Sequence, residues 1–200
     1  MLIPKQEVTK HSMSTTNFWQ GKWVRLRAVA PEDWRFFLAL DVETEFARYT
    51  DNILFPDSPE RLKKWTSELA IAEPWKHEFR MMIENLDGDC VGTLNTHTCD
   101  PRVGVFRYGI SIQHEHRQKG YASDAIRLVL TYFFHELRYQ KANVTIYAFN
   151  EASLELHKRL GFQEEGRLRR TVYTGGKFYD EFILGMTAEE FEESQRQGAG

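Results

Sequence analysis

Apolar and charged residues alternate over Trp23, Val24, Arg25, Leu26 and Arg27. That period of two is the signature of a half-buried strand. The period then changes. Pro31, Glu32 and Asp33 open a helix, with proline in the first turn and acids beside its positive end. Trp34, Phe37, Leu38 and Val42 are its expected buried stripe. A second helix begins at Ser58 and Pro59 and lines up Leu62, Trp65 and Leu69. Strands follow over 79–83, 90–96 and 105–112. The first two are joined by a tight turn at Asp87 and Gly88, a pair that tolerates positive φ. Ala122, Ala125, Ile126, Val129, Leu130, Phe133, Phe134 and Leu137 recur at three and four residues and predict one long amphipathic helix. Ala142, Val144, Ile146 and Ala148 alternate as a strand. Asn150 then caps a helix through Leu154, Leu156 and Leu160, which Gly161 stops. Two last strands, near 166–173 and 178–186, turn at Gly175 and Gly176. This order predicts an α+β (mixed α/β) fold with one central, mostly antiparallel sheet flanked by helices.

The pattern fades at both ends. Residues 1–18 are polar and aperiodic and are expected to be poorly ordered, 19–191 form one domain, and 192–200 read as a flexible tail. Two hundred residues can bury a core without disulfides or a metal. Lys plus Arg number 26 and Asp plus Glu 29, a net charge of -3, so there is no basic field for nucleic acid. Cys90 and Cys99 are too few for a disulfide framework and match no zinc spacing. No apolar run approaches the roughly 18 residues that span a membrane, and the N-terminus lacks an apolar signal core. A cytoplasmic protein with no membrane partner is expected.

The segment richest in chemistry runs through Arg117, Gln118, Lys119, Gly120, Tyr121, Ala122 and Ser123. It joins a strand ending at Ile112 to the long helix. A helix start presents unpaired N–H groups and a positive dipole end. Gly120 lets a bulky anion approach the backbone, Ala122 keeps the packing close, and Arg117 and Lys119 add charge. The chemistry that suits such a turn is phosphate or pyrophosphate binding. Neither a Walker-type P-loop nor a dinucleotide fingerprint is present. His114 and His116 lack a third ligand at a convincing spacing, so no metal is expected.

The run from Arg117 to Ala122 resembles the cofactor loop of the GNAT N-acetyltransferase family: Arg or Gln, two free positions, Gly, one free position, Gly or Ala. Downstream, Asn150 with Ser153, and His157 leading to Gly161 and Phe162, resemble that family's next block. Glu165 to Arg170, with Tyr179 and Asp180, resemble the branch that acetylates ribosomal-protein N-termini and spermidine. The resemblance covers about residues 22–190. It implies an acetyl-CoA-dependent N-acetyltransferase acting by direct attack of a primary amine within a ternary complex. A non-catalytic CoA-binding or regulatory module on the same fold is the alternative. In the family, main-chain groups at positions such as Ile110 and Ile112 hold the pantetheine arm. The 117–123 turn cradles the pyrophosphate, and Asn150 and Ser153 contact the cofactor.

The resemblance also implies catalytic roles. His157 stands where many members carry a tyrosine that protonates the leaving thiolate, and a histidine can donate near neutral pH. Arg107 stands where relatives carry a glutamate base, and arginine cannot accept a proton. Another carboxylate such as Glu84, a water chain, or an amine that arrives neutral remain as routes. The acceptor, a small-molecule or peptide amine, is expected near 41–45, 49–51 and 173–182, where the acids attract a cation. A homodimer through the C-terminal hairpin is expected as well.

Overall fold

The computed structural model describes residues 17–50 and 53–198. The expected disorder at the N-terminus therefore falls largely outside the described residues. Phe18 and Trp19 are packed, edge to face with each other and against Tyr132.

Seven strands form one sheet in the order β1-β2-β3-β4-β5-β7-β6. They are β1 Val24–Ala28, β2 Arg80–Asn85, β3 Cys90–Asp100, β4 Val105–Ile112, β5 Lys141–Tyr147, β6 Gln163–Thr174 and β7 Lys177–Thr187. Every pairing is antiparallel except β4 with β5. That is the mixed, mostly antiparallel architecture expected from the element order. The helices are α1 Trp34–Asp41, α2 Thr44–Thr50, α3 Pro59–Ile71, α4 Tyr121–Thr131, α5 Glu151–Leu160 and α6 Ala188–Gly198.

Helix α4 and the sheet enclose the larger core. Phe106 of β4 stacks on Phe133 at 3.8 Å between ring centroids, among Val24, Ile83, Leu94, Ile126 and Leu184. The opposite face carries a smaller cluster of Val29, Phe36, Leu40 and Met82 under α1 and α3. Asp124, in the first turn of α4, accepts the N–H groups of Trp23 (2.6 Å) and Val24 (3.0 Å), tying the helix start to β1. Gly161 ends α5 with φ +103°, and Phe162 N–H reaches back to the His157 carbonyl at 3.0 Å. This closing turn is the one the glycine predicts.

Several elements differ from the sequence reading. The buried positions of the first helix are Asp33, Phe36 and Leu40; Trp34, Phe37 and Leu38 are half-buried, and Val42 is 77% exposed. Asp33 sets this rotation. Its carboxylate takes Arg27 at 2.8 Å through both oxygens and accepts Ala30 N–H, so a charged residue heads the inward face. The long helix passes after Thr131 into a π-helical turn, Tyr132–Glu136. The segment 192–198, expected as tail, is helical, with α6 anchored by buried Phe191 against Phe134.

Candidate active site

β4 and β5 pair only where Val105, Phe106 and Arg107 meet Lys141, Ala142 and Asn143. Beyond that point β5 follows β7 through Tyr147, and the two strands part. A wedge opens between them. Gln113 N–H donates to the Val91 carbonyl at 3.0 Å. Antiparallel pairing alternates, so residues 111 and 109 turn their main-chain groups toward β3. Those of Ile110 and Ile112 then face the wedge, where no strand meets them. An extended ligand laid in the wedge finds the donors and acceptors of a missing strand.

The 117–123 turn sits at the end of β4. Gly120 has φ +84° and Gln118 φ +61°. The first helical bond of α4 runs from Asp124 N–H to the Gly120 carbonyl, so the N–H groups of Tyr121, Ala122 and Ser123 have no acceptor within the helix. Gly120, at the cap position, has no side chain to satisfy them. Asp124, the acid of this first turn, is already occupied by β1. Arg117 donates to the Ile112 carbonyl at 3.3 Å and lies over the Tyr49 ring at 5.7 Å. Gln118 and Lys119 are exposed. This is an anion-receptive turn.

A cavity of about 780 Å³ occupies the wedge and continues over the α1–α3 face of the sheet. Ile110, Asn150, Ser153 and His157 line it; Ile112 and the 117–123 turn do not. Asn150 Oδ1 caps α5 by accepting Ser153 N–H at 3.2 Å, so capping and lining coexist in one residue.

His157 is 2% exposed. Its Nδ1 is 2.8 Å from the Ser153 carbonyl oxygen and must carry the hydrogen of that bond. Nε2 is buried without a partner. Burial pushes the pKa down to about 4. Near neutral pH the neutral ring carries its hydrogen on Nδ1, and Nε2 is then an acceptor. Beside it, ring centroids 5.9 Å apart, lies Tyr108. Its hydroxyl is also buried without a partner, and burial holds its pKa well above 10. Tyr108 is thus a permanent O–H donor at the base of the wedge. The sequence pattern alone suggests no role for it.

Thr93, Asn95 and His97 of β3 and Arg80 of β2 line the other end of the cavity, with Phe37 and Trp65 above them. Asp41, Tyr49 and Glu181 line it, as the acceptor reading expects. Glu43, Glu45, Tyr173 and Phe178 do not, and Asp51 lies outside the described residues. His97 bonds Thr98 Oγ1 at 3.1 Å through Nδ1. Partial desolvation and the charge of Arg107 lower its pKa, keeping the ring neutral. Glu84 is excluded as a base: it is held by Arg25 and Arg27 and does not reach the cavity.

Cys90 and Cys99 are free thiols whose pKa burial pushes up to about 11, so neither is a poised nucleophile. Arg167 is paired with Asp180 at 2.7 Å, and Arg170 lies over Phe178. Among the described residues no three His, Cys, Asp or Glu side chains cluster to hold a metal, and no helix is long and apolar enough to cross a membrane.

Residues 24–163 match the acetyltransferase (GNAT) domain. The chain is 41% identical over 175 residues to the SPbeta prophage-derived uncharacterized N-acetyltransferase YokL of Bacillus subtilis (strain 168), covering 88% of this chain and 96% of that one. It is 30% identical to the uncharacterized N-acetyltransferase YoaA of the same organism, covering 78% and 88%. The fold superposes with a TM-score of 0.74 on a spermidine N-acetyltransferase from Vibrio cholerae solved with CoA and spermine. That pair shares 22% identity, over 84% of this chain and 98% of the other.

Proposed function

The chain belongs to the GNAT acetyltransferase family, and on that premise we propose that it binds acetyl-CoA in the β4–β5 wedge and transfers the acetyl group to a small primary amine. One observation carries this reading: the β4 edge at Ile110 and Ile112, which no strand pairs, leads into the anion-receptive start of α4, with the Ile112 carbonyl held by Arg117 of that same turn. The residues present fit the ligand at three places. The strand edge suits the amide-bearing pantetheine arm, with Asn150 and Ser153 on the opposite wall. The amides of Tyr121 to Ser123, with Arg117 and Lys119, suit the pyrophosphate. The orphaned Tyr108 hydroxyl and His157 Nε2 suit polar atoms arriving at the base of the wedge.

Acetyl-CoA supplies an activated thioester carbonyl. In the transfer the amine nitrogen bonds to the carbonyl carbon, the carbon–sulfur bond breaks, and the nitrogen loses a proton. His97 is the group that accepts it, being neutral and on the acceptor side. Arg107 is no base, but its charge helps keep His97 unprotonated. Tyr108 donates a hydrogen bond to the departing sulfur, which takes its proton from solvent as the product leaves. Because burial keeps the phenol protonated, that donor is present at every working pH. Reaction occurs only when the amine and the thioester are held together in one cavity.

Release of free CoA thiol from acetyl-CoA with a panel of primary amines tests the proposal. Turnover is expected with at least one amine class, and Tyr108→Phe should lower kcat by about 10²-fold, the usual cost of one lost transition-state donor, with CoA affinity kept. A chain that binds CoA but acetylates no amine would contradict the transfer and favour the non-catalytic module.

A further inference from the structure

Arg80 is the first residue of β2, and its side chain turns to the α1–α3 face. The sheet register places it opposite Asn95, and Asn95 opposite Gly109 on β4. This row leads across the acceptor end of the cavity to the strand that edges the wedge. Two strand spacings, about 10 Å, separate its ends.

The guanidinium lies 5.9 Å from the Phe37 ring centroid and 5.6 Å from that of Trp65. It donates one long hydrogen bond, from Nη1 to Thr93 Oγ1 at 3.4 Å. Among the described residues no carboxylate comes within ion-pair distance of it. Burial lowers its pKa with no opposing charge to raise it. Arg27 is the contrast within the same chain: also partly buried, it holds Asp33 at 2.8 Å and Glu84 at 3.2 Å. A half-buried guanidinium set against one side of an aromatic pair without an anion is costly. Of the carboxylates that line the same cavity, two are otherwise engaged. Asp57 pairs with Arg61 at 2.8 Å, and Asp41 accepts the Asp57 N–H at 2.9 Å.

We propose that Arg80 receives the carboxylate of the acceptor, so that the amine acetylated here belongs to a free amino acid. This rests on the acetyl-transfer reading and names its substrate class. The planar fork of arginine matches a carboxylate in two parallel hydrogen bonds. Phe37 and Trp65 wall the pair off from water, which strengthens it. The guanidinium already reaches Thr93 on β3, which pairs with Ser111 of β4, so a carboxylate held there leaves the adjacent α-amine within about one strand spacing, ~5 Å, of the strand that edges the wedge. Gly109 has no side chain to block that approach, and His97 stands beside it on β3. A polyamine would instead bring positive charge against an uncompensated guanidinium.

The test uses the full chain, acetyl-CoA, and pairs of acceptors that differ only in the carboxylate, such as phenylalanine with phenethylamine and histidine with histamine, plus spermidine. The wild type should favour the amino acid of a pair by at least about 30-fold in kcat/KM. Arg80→Gln should raise the amino-acid KM by a similar factor and leave the decarboxylated amine within about threefold. Calorimetric affinity for CoA should stay within about twofold, which separates a lost anchor from a damaged fold. Arg80→Lys, which keeps the charge without the fork, should fall between. A wild type that prefers spermidine or the decarboxylated amines overturns the proposal while sustaining acetyl transfer. So does an Arg80→Gln protein that loses both members of a pair equally. If no acceptor turns over, the acetyl-transfer reading fails, and amino-acid binding to the CoA complex, present in the wild type and absent in Arg80→Gln, still decides the role of Arg80.

Discussion

His157 shows how one buried side chain couples the site to stability. Its folded pKa of about 4 lies below the ordinary 6.5. Above pH 6.5 neither the folded nor the unfolded ring binds a proton. As pH falls below 6.5 the unfolded chain takes up a proton that the folded chain refuses until about pH 4. Stability therefore drops across that window, by roughly 3 kcal/mol at ~1.4 kcal/mol per pH unit. Denaturant melts at pH 7 and pH 4.5 should show a smaller loss for His157→Gln than for the wild type; equal losses would mean the ring is not held neutral. The residues that bear on chemistry were only partly legible in the sequence. Asn150, Ser153 and the 117–123 turn stand out because local spacing and glycine mark them. Arg80, His97 and Tyr108 do not, because their meaning depends on which groups of other elements surround them, and such surroundings leave no local pattern. Glu84 looked available as a base for the same reason: its two arginines come from β1, nearly sixty residues earlier.

At the scale of elements, periodicity recovered the strands, the main helices and their order. It failed where a tertiary contact overrode a local rule. Asp33 faces inward because Arg27 neutralises it, and the stripe of α1 rotates with it. α6 forms where the chain looked like tail, because Phe191 finds Phe134. Strand β6 carries a consequence for assembly. It is the edge of the sheet, twelve residues long, and beside it lie exposed Leu168 (44%), Tyr173 (58%) and Phe178 (54%). β6 itself is largely charged, but an unpaired strand edge with apolar side chains beside it offers a place for another chain to pair, and like chains pair about a two-fold axis. We propose that β6 pairs with its copy in a homodimer. Light scattering of the wild type should give twice 23.5 kDa, and Leu168→Lys should give the monomer. A wild type that stays monomeric at high concentration contradicts this.

Over the whole molecule, function follows from one departure from regular sheet. Pairing β4 to β5 for three residues and then releasing it opens the cavity in which the proposed cofactor and acceptor would meet. The larger core under α4 keeps the strands from closing, since Phe106 and Phe133 fix the vertex while β7 draws β5 away. Sequence order implies the sheet, but where two strands stop pairing is set by this long-range packing, so the wedge was legible only through family resemblance. Calorimetric titration of acetyl-CoA into the wild type, Lys119→Glu and Gly120→Glu tests the central claim most directly. Both variants put a carboxylate at the start of α4. Lys119 is exposed, and a side chain at Gly120, with φ +84°, costs about 1–2 kcal/mol in strain, or a few degrees in Tm. The wild type should bind one acetyl-CoA per chain at micromolar to sub-millimolar Kd, and both variants should remain folded and bind at least about 30-fold more weakly. Folded variants that bind acetyl-CoA as tightly as the wild type would contradict the assignment of this turn and of the wedge it serves.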